Sequence, residues 1–364
     1  MKVLISGGGT GGHVYPAIAI ANKLKEEIED IEILFVGTKN GIESEIVPKA
    51  GYELKTITVQ GFRRKITIDN FKRVIKLVKG LEQSRRIIKK FKPDIVIGTG
   101  GYVCGPVVLN ASINKIPTII HEQNAFPGVT NKILSKFSSK ILISFEDAKR
   151  YFKDKENVVF TGNPVRKEIL ISNKSSSRKK LGINEDKRMI LCVGGSGGAT
   201  KLNDSMKKIM PRLVKEDIQF IHATGKSHYD KFIGELGNQN FRGCQRVVPY
   251  LDDMASALAA CDLVICSAGA ITLAEVTALS KPSIVIPKAY TAENHQEFNA
   301  KSIEKKGAGI AILEKQLTHK KLEDTIFKIL GDREKLSGMG KNSGEIGNPK
   351  AIDNIYTEIM DVLK

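Results

Sequence analysis

Three clusters of residues in this chain combine backbone freedom with polar side chains in a way that chemistry needs. The first is Gly7-Gly8-Gly9-Thr10-Gly11-Gly12-His13, which follows a short apolar run and opens a helical pattern. Glycines let a ligand approach the backbone, and a helix start offers unpaired amides to an anion. His13 stands at the end of this loop. The positive end of a helix disfavours imidazolium, so a neutral ring there can serve as a general base. The alternative is a histidine that only hydrogen-bonds the loop.

The loop satisfies G-x-G-x-x-G. A dinucleotide site also wants an acid about 20 residues on, to hold a ribose. The second strand instead ends Val36-Gly37-Thr38-Lys39. This disfavours an NAD enzyme, and no G-x-x-x-x-G-K-[ST] phosphate loop occurs either.

The second cluster has two parts. Gly100-Gly101-Tyr102-Val103-Cys104-Gly105-Pro106 follows one strand, and His121-Glu122-Gln123-Asn124 ends another, before Ala125-Phe126-Pro127-Gly128. Four consecutive polar residues at the carboxyl end of a strand make poor core and a good binding loop. In the third cluster, Ser267-Ala268-Gly269-Ala270 closes a strand and Ile271–Leu279 reads as a helix. Its first amides can hold a diphosphate. Glu275, one turn in, can receive two ribose hydroxyls or simply face solvent. Glu293-Asn294-His295-Gln296 either reads sugar hydroxyls or caps the helix that follows.

The elements that must position these clusters repeat as strand, glycine turn, helix. Strands are predicted at Lys2–Ser6, Ile31–Thr38, Leu54–Val59, Asp94–Gly98, Thr118–Glu122, Lys140–Phe145 and Val158–Thr161. Several are continuous apolar runs, as in parallel strands covered on both faces. Tyr15–Ile28 reads as a helix with Pro16 in its first turn. Asn173–Lys180 (NKSSSRKK) is polar and serine-rich, which predicts a linker or surface loop. The pattern then restarts with strands at Met189–Gly194, Phe220–Thr224, Leu263–Cys266 and Ser283–Pro287. Ile352, Ile355, Tyr356, Ile359 and Leu363 have helical spacing. The expectation is an α/β chain of two doubly wound domains facing a central cleft, at residues 1–165 and 166–345. The terminal helix within 346–364 is expected to pack back on the first domain.

A length of 364 residues and a 41% apolar fraction suit two folded domains. Cys104, Cys192, Cys244, Cys261 and Cys266 are odd in number and form no C-x-x-C, which argues against a disulfide framework or a zinc ribbon. The start of the chain does not read as a signal peptide, and no apolar run reaches the roughly 18 residues of a membrane span. The formal net charge is +17, which points to an anionic partner. From Met1 to Val165 there are 26 Lys/Arg against 16 Asp/Glu, and Gly61–Lys92 alone holds 12 against Asp69 and Glu82. That one segment carries the whole surplus of the first half. Asp69 is a candidate cap for a helix bearing Phe71, Val74, Ile75, Val78 and Leu81 on one side. Lys72, Arg73, Lys76 and Lys79 fall mostly on the other, and Gly80 is a candidate split or bend. Such a helix can lie in a headgroup layer, although its apolar stripe could equally face a core. The presence of only Phe62, Phe71 and Phe91 nearby, with no reader motif, argues against nucleic acid as a partner.

GGGTGGHVYPA, GGYVCGPV, HEQNAFPGVTNK, TGNPVR, GGSGGA and SAGAITLAE…ENHQEFNA together resemble the MurG family of glycosyltransferase family 28. These are UDP-N-acetylglucosamine:undecaprenyl-pyrophosphoryl-MurNAc-pentapeptide transferases. The resemblance runs from near residue 5 to near residue 300. It implies a GT-B fold and an inverting, metal-independent transfer that needs no cofactor, at the cytoplasmic side of the cell membrane as a peripheral protein. The chain also lacks D-x-D, the usual metal–nucleotide-sugar anchor of the other main glycosyltransferase architecture.

Carried over by position, Glu275 would bind the ribose, with Tyr250 and Leu251 beside the uracil. Ser196, Arg166 and the Ala270-Ile271-Thr272 helix start would hold the diphosphate. Asn124, His295 and Gln296 would face the sugar, with Thr10, Gly11 and Gly12 also on the donor. Gly9, Thr10, Tyr102, Glu122 and Gln123 would serve the acceptor, with His13 catalytic. Relatives often carry glutamine where this chain has Gly197. The rival expectations are another glycolipid glycosyltransferase or a UDP-sugar epimerase of similar fold.

Overall fold

The computed structural model describes residues 1–61, 68–153, 156–195, 197–237, 241 and 245–364, and of residues 68–70 and 292 the backbone alone. Ser196, Cys244, the 62–67 part of the basic segment and the Asp69 side chain lie outside what is described. The chain forms two compact units. One comprises Met1–Pro164 with Lys350–Lys364, and the other Val165–Pro349.

In the first unit the strands are β1 (Lys2–Gly7), β2 (Glu32–Gly37), β3 (Glu53–Thr56), β4 (Ile95–Gly100), β5 (Thr118–Glu122), β6 (Lys140–Ile143) and β7 (Val158–Phe160). They form one parallel sheet in the order β3-β2-β1-β4-β5-β6-β7. Period-2 alternation explains why these strands read as continuous apolar runs. Val3, Ile5, Ile95, Ile97 and Ile119 enter the core on one face, and Leu4, Val96 and Ile120 enter the core on the other. The Gly11–Glu27 helix covers the first face with Ala17, Ile20, Ala21 and Leu24. The Ala351–Leu363 helix joins it there through Ile355 and Ile359, with Lys23 paired to Asp353 at 2.7 Å and Lys140 paired to Glu358.

The second unit contains β8 (Met189–Val193), β9 (Gln219–Ala223), β10 (Gln245–Val248), β11 (Leu263–Cys266), β12 (Ser283–Val285) and β13 (Gly309–Ala311). Their order is β10-β9-β8-β11-β12-β13, again parallel. The expected strand list lacked β10 and β13. Both lie at sheet edges and are short, and β10 opens with Gln245-Arg246, so neither has a buried apolar run to betray it.

Each sheet winds outward from a central pair, β1/β4 in one unit and β8/β11 in the other. At such a switch point consecutive crossovers go to opposite faces, leaving a crevice at the carboxyl ends of the strands. All three clusters singled out in the sequence lie at carboxyl ends of strands, and each has a part directly at one of these pairs.

Two local expectations are corrected. Residues 173–180 are not a linker, because Lys174–Leu181 is a helix. Asn173 caps it, accepting from the Ser176 amide at 2.9 Å. Its anchor is Arg178, 1% exposed, which donates to the carbonyls of Ala260, Asn184, Glu185 and Lys187 and to Asp262 Oδ2 at 2.9 Å. The helix escaped notice because its buried side chain is a cation rather than a hydrocarbon. Gly80 does not split the Ile68–Phe91 helix, which runs through it. A Cβ there would stand 2.9 Å from the Thr58 carbonyl, so glycine allows a close approach of backbone.

That helix buries Ser84 and Ile88 toward the Cys104–Ile113 helix, where Asn110 donates to the Leu81 carbonyl and to Ser84. The stripe Phe71, Val74, Ile75 and Val78 faces solvent at 69%, 45%, 56% and 61% exposure. It is not a core face. Arg73, grouped with the surface cations in the sequence, is buried and donates to the Gly61 carbonyl.

Candidate functional site

In the first unit the glycine loop leaves β1 and enters the Gly11–Glu27 helix. The helix has no side-chain cap at Thr10. His13 Nδ1 lies 2.9 Å from the Gly8 carbonyl and 3.2 Å from Thr10 Oγ1. A carbonyl can only accept, so Nδ1 carries the proton and the basic lone pair is on Nε2. The loop therefore fixes the tautomer that a general base requires. Thr99 Oγ1 donates to the His13 carbonyl at 2.8 Å.

The Gly100-Gly101 pair exists to make room for this arrangement. Gly100 has φ +112°, and a Cβ on it would come within 2.7 Å of His13 Cδ2. Gly101 has φ +84°, and a Cβ there would lie 2.3 Å from the Gly8 carbonyl oxygen. Tyr102 follows, lying over Gly9 with its ring 3.6 Å from the position of a Cβ there, and it remains partly exposed.

Sequence reasoning missed Glu43. It is wholly buried, and its Oε2 accepts from the Gly9 amide at 3.0 Å. Its Oε1 accepts from the Thr38 amide and hydroxyl at 2.9 and 2.7 Å. Burial raises its pKa, but the hydrogen bonds from Gly9 and Thr38 outweigh that and hold the carboxyl below its usual range. Cβ atoms on Gly8, Gly37 or Gly41 would come within 2.6, 2.5 or 2.2 Å of this side chain. An acid does lie beyond the second strand, but it turns inward onto the loop's own backbone. It cannot receive a cofactor ribose at the same time. The only signal in the sequence was the spacing of glycines around it.

The polar end of β5 is mostly framework. His121 Nε2 faces the Gly162 carbonyl at 3.0 Å, and burial pushes the ring pKa down to about 4. Gln123 Nε2 donates to the Thr99 carbonyl at 2.8 Å and to His121 Nδ1 at 3.0 Å. Asn163 Nδ2 donates to the Gln123 carbonyl, and Asn163 Oδ1 accepts from Ser144. Glu122 accepts from the Asn124 amide and side chain through Oε1, and from the Gly128 amide and Asn131 Nδ2 through Oε2. The HEQNAFPGVTNK and TGNPVR segments are thus one network. Glu122 and Gln123 are buried inside it, and Asn124 is left part-exposed on the loop they shape.

In the second unit the loops after β8, β11 and β12 lie side by side. Ser267 Oγ donates to the Gly194 carbonyl at 3.0 Å, and Asn299 Nδ2 to the Ala268 carbonyl at 3.1 Å. The Ala270–Ala278 helix starts after Gly269 with no side-chain cap, which leaves the amides of Ala270, Ile271 and Thr272 for an anion. Glu275 is nearly buried, and Arg166 Nε donates to its Oε1 at 2.8 Å. Burial raises the Glu275 pKa, Arg166 pulls it down, and burial prevails. Gln296 Oε1 accepts from the Lys288 amide at 2.9 Å, and His295 opens the His295–Lys305 helix beside it. Tyr250 follows β10, part-exposed, with Lys226 Nζ 5.3 Å from its ring centroid, and Leu251 is next to it. Nothing lies within 4 Å of a Cβ built on Gly197, so a side chain there has room. Among the described residues no three His, Cys, Asp or Glu form a metal-binding group.

The structure brings His13, Thr10, Gly9 and Tyr102 together in the first unit, with Gln123 bonded to the adjoining β4 backbone. In the second unit it joins Arg166 to Glu275 and sets Gln296 against Lys288.

Residues 3–143 match the glycosyltransferase family 28 N-terminal domain, and residues 189–355 match its C-terminal domain. The chain is 68% identical over 364 residues to a UDP-N-acetylglucosamine--N-acetylmuramyl-(pentapeptide) pyrophosphoryl-undecaprenol N-acetylglucosamine transferase of Clostridioides difficile, covering all of this chain and 89% of the relative. It is 52% identical to the protein of the same name from Acetivibrio thermocellus, covering 100% and 99%. Among solved structures it is similar to Acinetobacter baumannii MurG, with a TM-score of 0.81 and 29% identity over 99% of both chains. A UDP-GlcNAc 2-epimerase from Neisseria meningitidis bound to UDP-GlcNAc shares the fold at a TM-score of 0.68 and 14% identity.

Proposed function

Because the chain belongs to glycosyltransferase family 28, we propose that it transfers N-acetylglucosamine from UDP-N-acetylglucosamine to the MurNAc of undecaprenyl-pyrophosphoryl-MurNAc-pentapeptide. The observation that carries this reading is 68% identity along the whole chain to a relative named for that reaction. The transfer is metal-independent and inverting. In this reading the acceptor hydroxyl oxygen bonds the anomeric carbon and its proton passes to His13 Nε2. UDP departs with the electron pair of the broken bond. The Gly8 carbonyl and Thr10 hold His13 in the tautomer that this step needs. In the second unit, Glu275 receives the ribose hydroxyls. Arg166 and the first amides of the Ala270–Ala278 helix meet the diphosphate, offsetting charge as it grows. Glu122 and Gln123 serve by shaping the loop that presents Asn124, with Tyr102 beside the acceptor.

No described helix is long and apolar enough to cross a membrane. The lipid-linked acceptor is reached peripherally, from the cytoplasmic side, by the Ile68–Phe91 helix. Its exposed Phe71, Val74, Ile75 and Val78 enter the headgroup layer, and Lys72, Lys76 and Lys79 face anionic lipid.

The test is release of UDP from UDP-N-acetylglucosamine with and without the lipid-linked acceptor. Acceptor-dependent release with one disaccharide formed per UDP is expected. Isomerisation of the sugar nucleotide without acceptor would instead make the chain an epimerase.

A further inference from the structure

The donor reading leaves Lys288 of the second unit without a role. Lys288 follows β12, in the loop that leads to His295 and Gln296. Its side chain reaches back to the loop after β8, where Nζ donates to the Gly198 carbonyl at 2.6 Å. Nζ also lies 3.8 Å from where a Cβ on Gly195 would stand, and Gly195 itself is exposed. The Lys288 amide meanwhile holds Gln296. One residue therefore ties together the glycine run after β8 and the polar run after β12. These flank β11, whose loop opens the uncapped Ala270–Ala278 helix.

An ammonium in this place is costly unless something uses it. The residue is half-buried, and among the described residues no carboxylate pairs with Nζ. Glu314 exerts a pull on it without pairing, and its Oε2 accepts from the Ala289 amide at 2.9 Å. A carbonyl accounts for one of the three N–H donors of a lysine. The others stand at the sheet's switch point, beside Gly195, which has no side chain of its own. A diphosphate that gains charge as its sugar bond breaks matches that chemistry, and neither the helix start nor the Arg166–Glu275 pair supplies a point charge on a flexible stem.

We propose that Lys288 is a catalytic residue of the transfer, its ammonium contacting the terminal phosphate of the bound nucleotide. This rests on the donor reading given above. As the bond from the anomeric carbon to the phosphate oxygen breaks, its electron pair goes to that oxygen. Lys288 offsets the new charge and stays protonated throughout. It does there what a divalent cation does in glycosyltransferases that use one.

The experiment compares wild type with Lys288→Met and Lys288→Arg, measuring calorimetric affinities for UDP, UMP and uridine together with kcat. Lys288→Met is expected to weaken UDP binding roughly tenfold and lower kcat about a hundredfold. UMP and uridine binding should not change, and Lys288→Arg should recover most of both losses. Equal weakening of UDP and uridine would mean that Lys288 only braces the Gly198 loop, and would overturn the proposal, as would unchanged UDP affinity and kcat in Lys288→Met. Failure of the wild type to bind UDP would overturn the donor reading and this proposal with it.

Discussion

Arg166 Nε donates to Glu275 Oε1 at 2.8 Å, so the carboxylate assigned to the ribose is already held by the cation assigned to the diphosphate. Glu275 is deeply buried and its carboxyl is raised by that burial, while Arg166 is half-exposed and opposes the shift. Arg166 offsets part of the cost of ionising this buried acid, and an ionised carboxylate can accept a hydrogen bond from each hydroxyl of a ribose diol.

Replacing Arg166 with methionine should therefore do more than remove a phosphate contact. Without the guanidinium, the Glu275 pKa climbs further. The donor KM should rise roughly tenfold at pH 8.5, and by a larger factor at pH 6.5, as Glu275 takes up a proton. A KM ratio between variant and wild type that stays constant over that range would show that Arg166 does not govern Glu275.

Gly100→Ala should reproduce the defect of His13→Ala without touching the histidine. Its Cβ would stand 2.7 Å from His13 Cδ2 on a backbone at φ +112°, so the ring must move. Loss of a positioned base costs about 10²–10⁴-fold in kcat. Both variants should fall in that range and bind UDP as wild type does. A Gly100→Ala enzyme with normal kcat would remove the imidazole position from the mechanism.

The three exposed lysines of the Ile68–Phe91 helix should act together. Each contributes about 1 kcal/mol near an anionic surface, so neutralising Lys72, Lys76 and Lys79 should weaken vesicle binding roughly 100-fold at low salt. Arg73 belongs to a different class. It is buried against Gly61, and Arg73→Ala should lower the melting temperature more than vesicle affinity. Co-sedimentation with vesicles containing anionic lipid checks the first claim, and thermal unfolding the second. Vesicle binding by the triple variant equal to wild type would place the contact elsewhere.

Both units should lose stability in mild acid through one histidine each. Burial pushes His121 down to about 4 and His222 down to about 3. His222 packs against Phe232 with ring centroids 5.2 Å apart. In the unfolded chain both titrate near 6.5. Their neutral forms are favoured in the fold, so the stability they allow is full above about pH 6.5 and falls as pH drops toward the folded values. Between pH 7.5 and pH 5 the loss should be roughly 2 kcal/mol per histidine. Urea unfolding at the two pH values measures it, and His222→Phe should flatten the second unit's share.

The winding of both sheets was legible because parallel strands covered on two faces leave apolar runs ended by glycine. The clusters at their carboxyl ends were legible because polar runs there stand apart from the apolar strands that lead to them. What hid was whatever buries charge. Arg178 made a helix look like a linker, and Glu43 made the glycine loop look open to an anion although the Gly9 amide is already taken. Glu122 and Gln123 stood out by type, yet only hydrogen-bond geometry reveals that they brace the loop from within. The side of the Ile68–Phe91 helix that meets water could not be read from periodicity, because both of its faces carry hydrocarbon.

The return of the Ala351–Leu363 helix to the first unit sets an order of events during synthesis. The unit begun first is completed after the second. At roughly 5–20 residues per second, residues 165–349 occupy the ribosome for about 10–40 s after the first sheet has been made. Throughout that interval the face beside Ile20, Leu24 and Leu142 waits without Ile355 and Ile359. It closes only when the Ala351–Leu363 helix emerges.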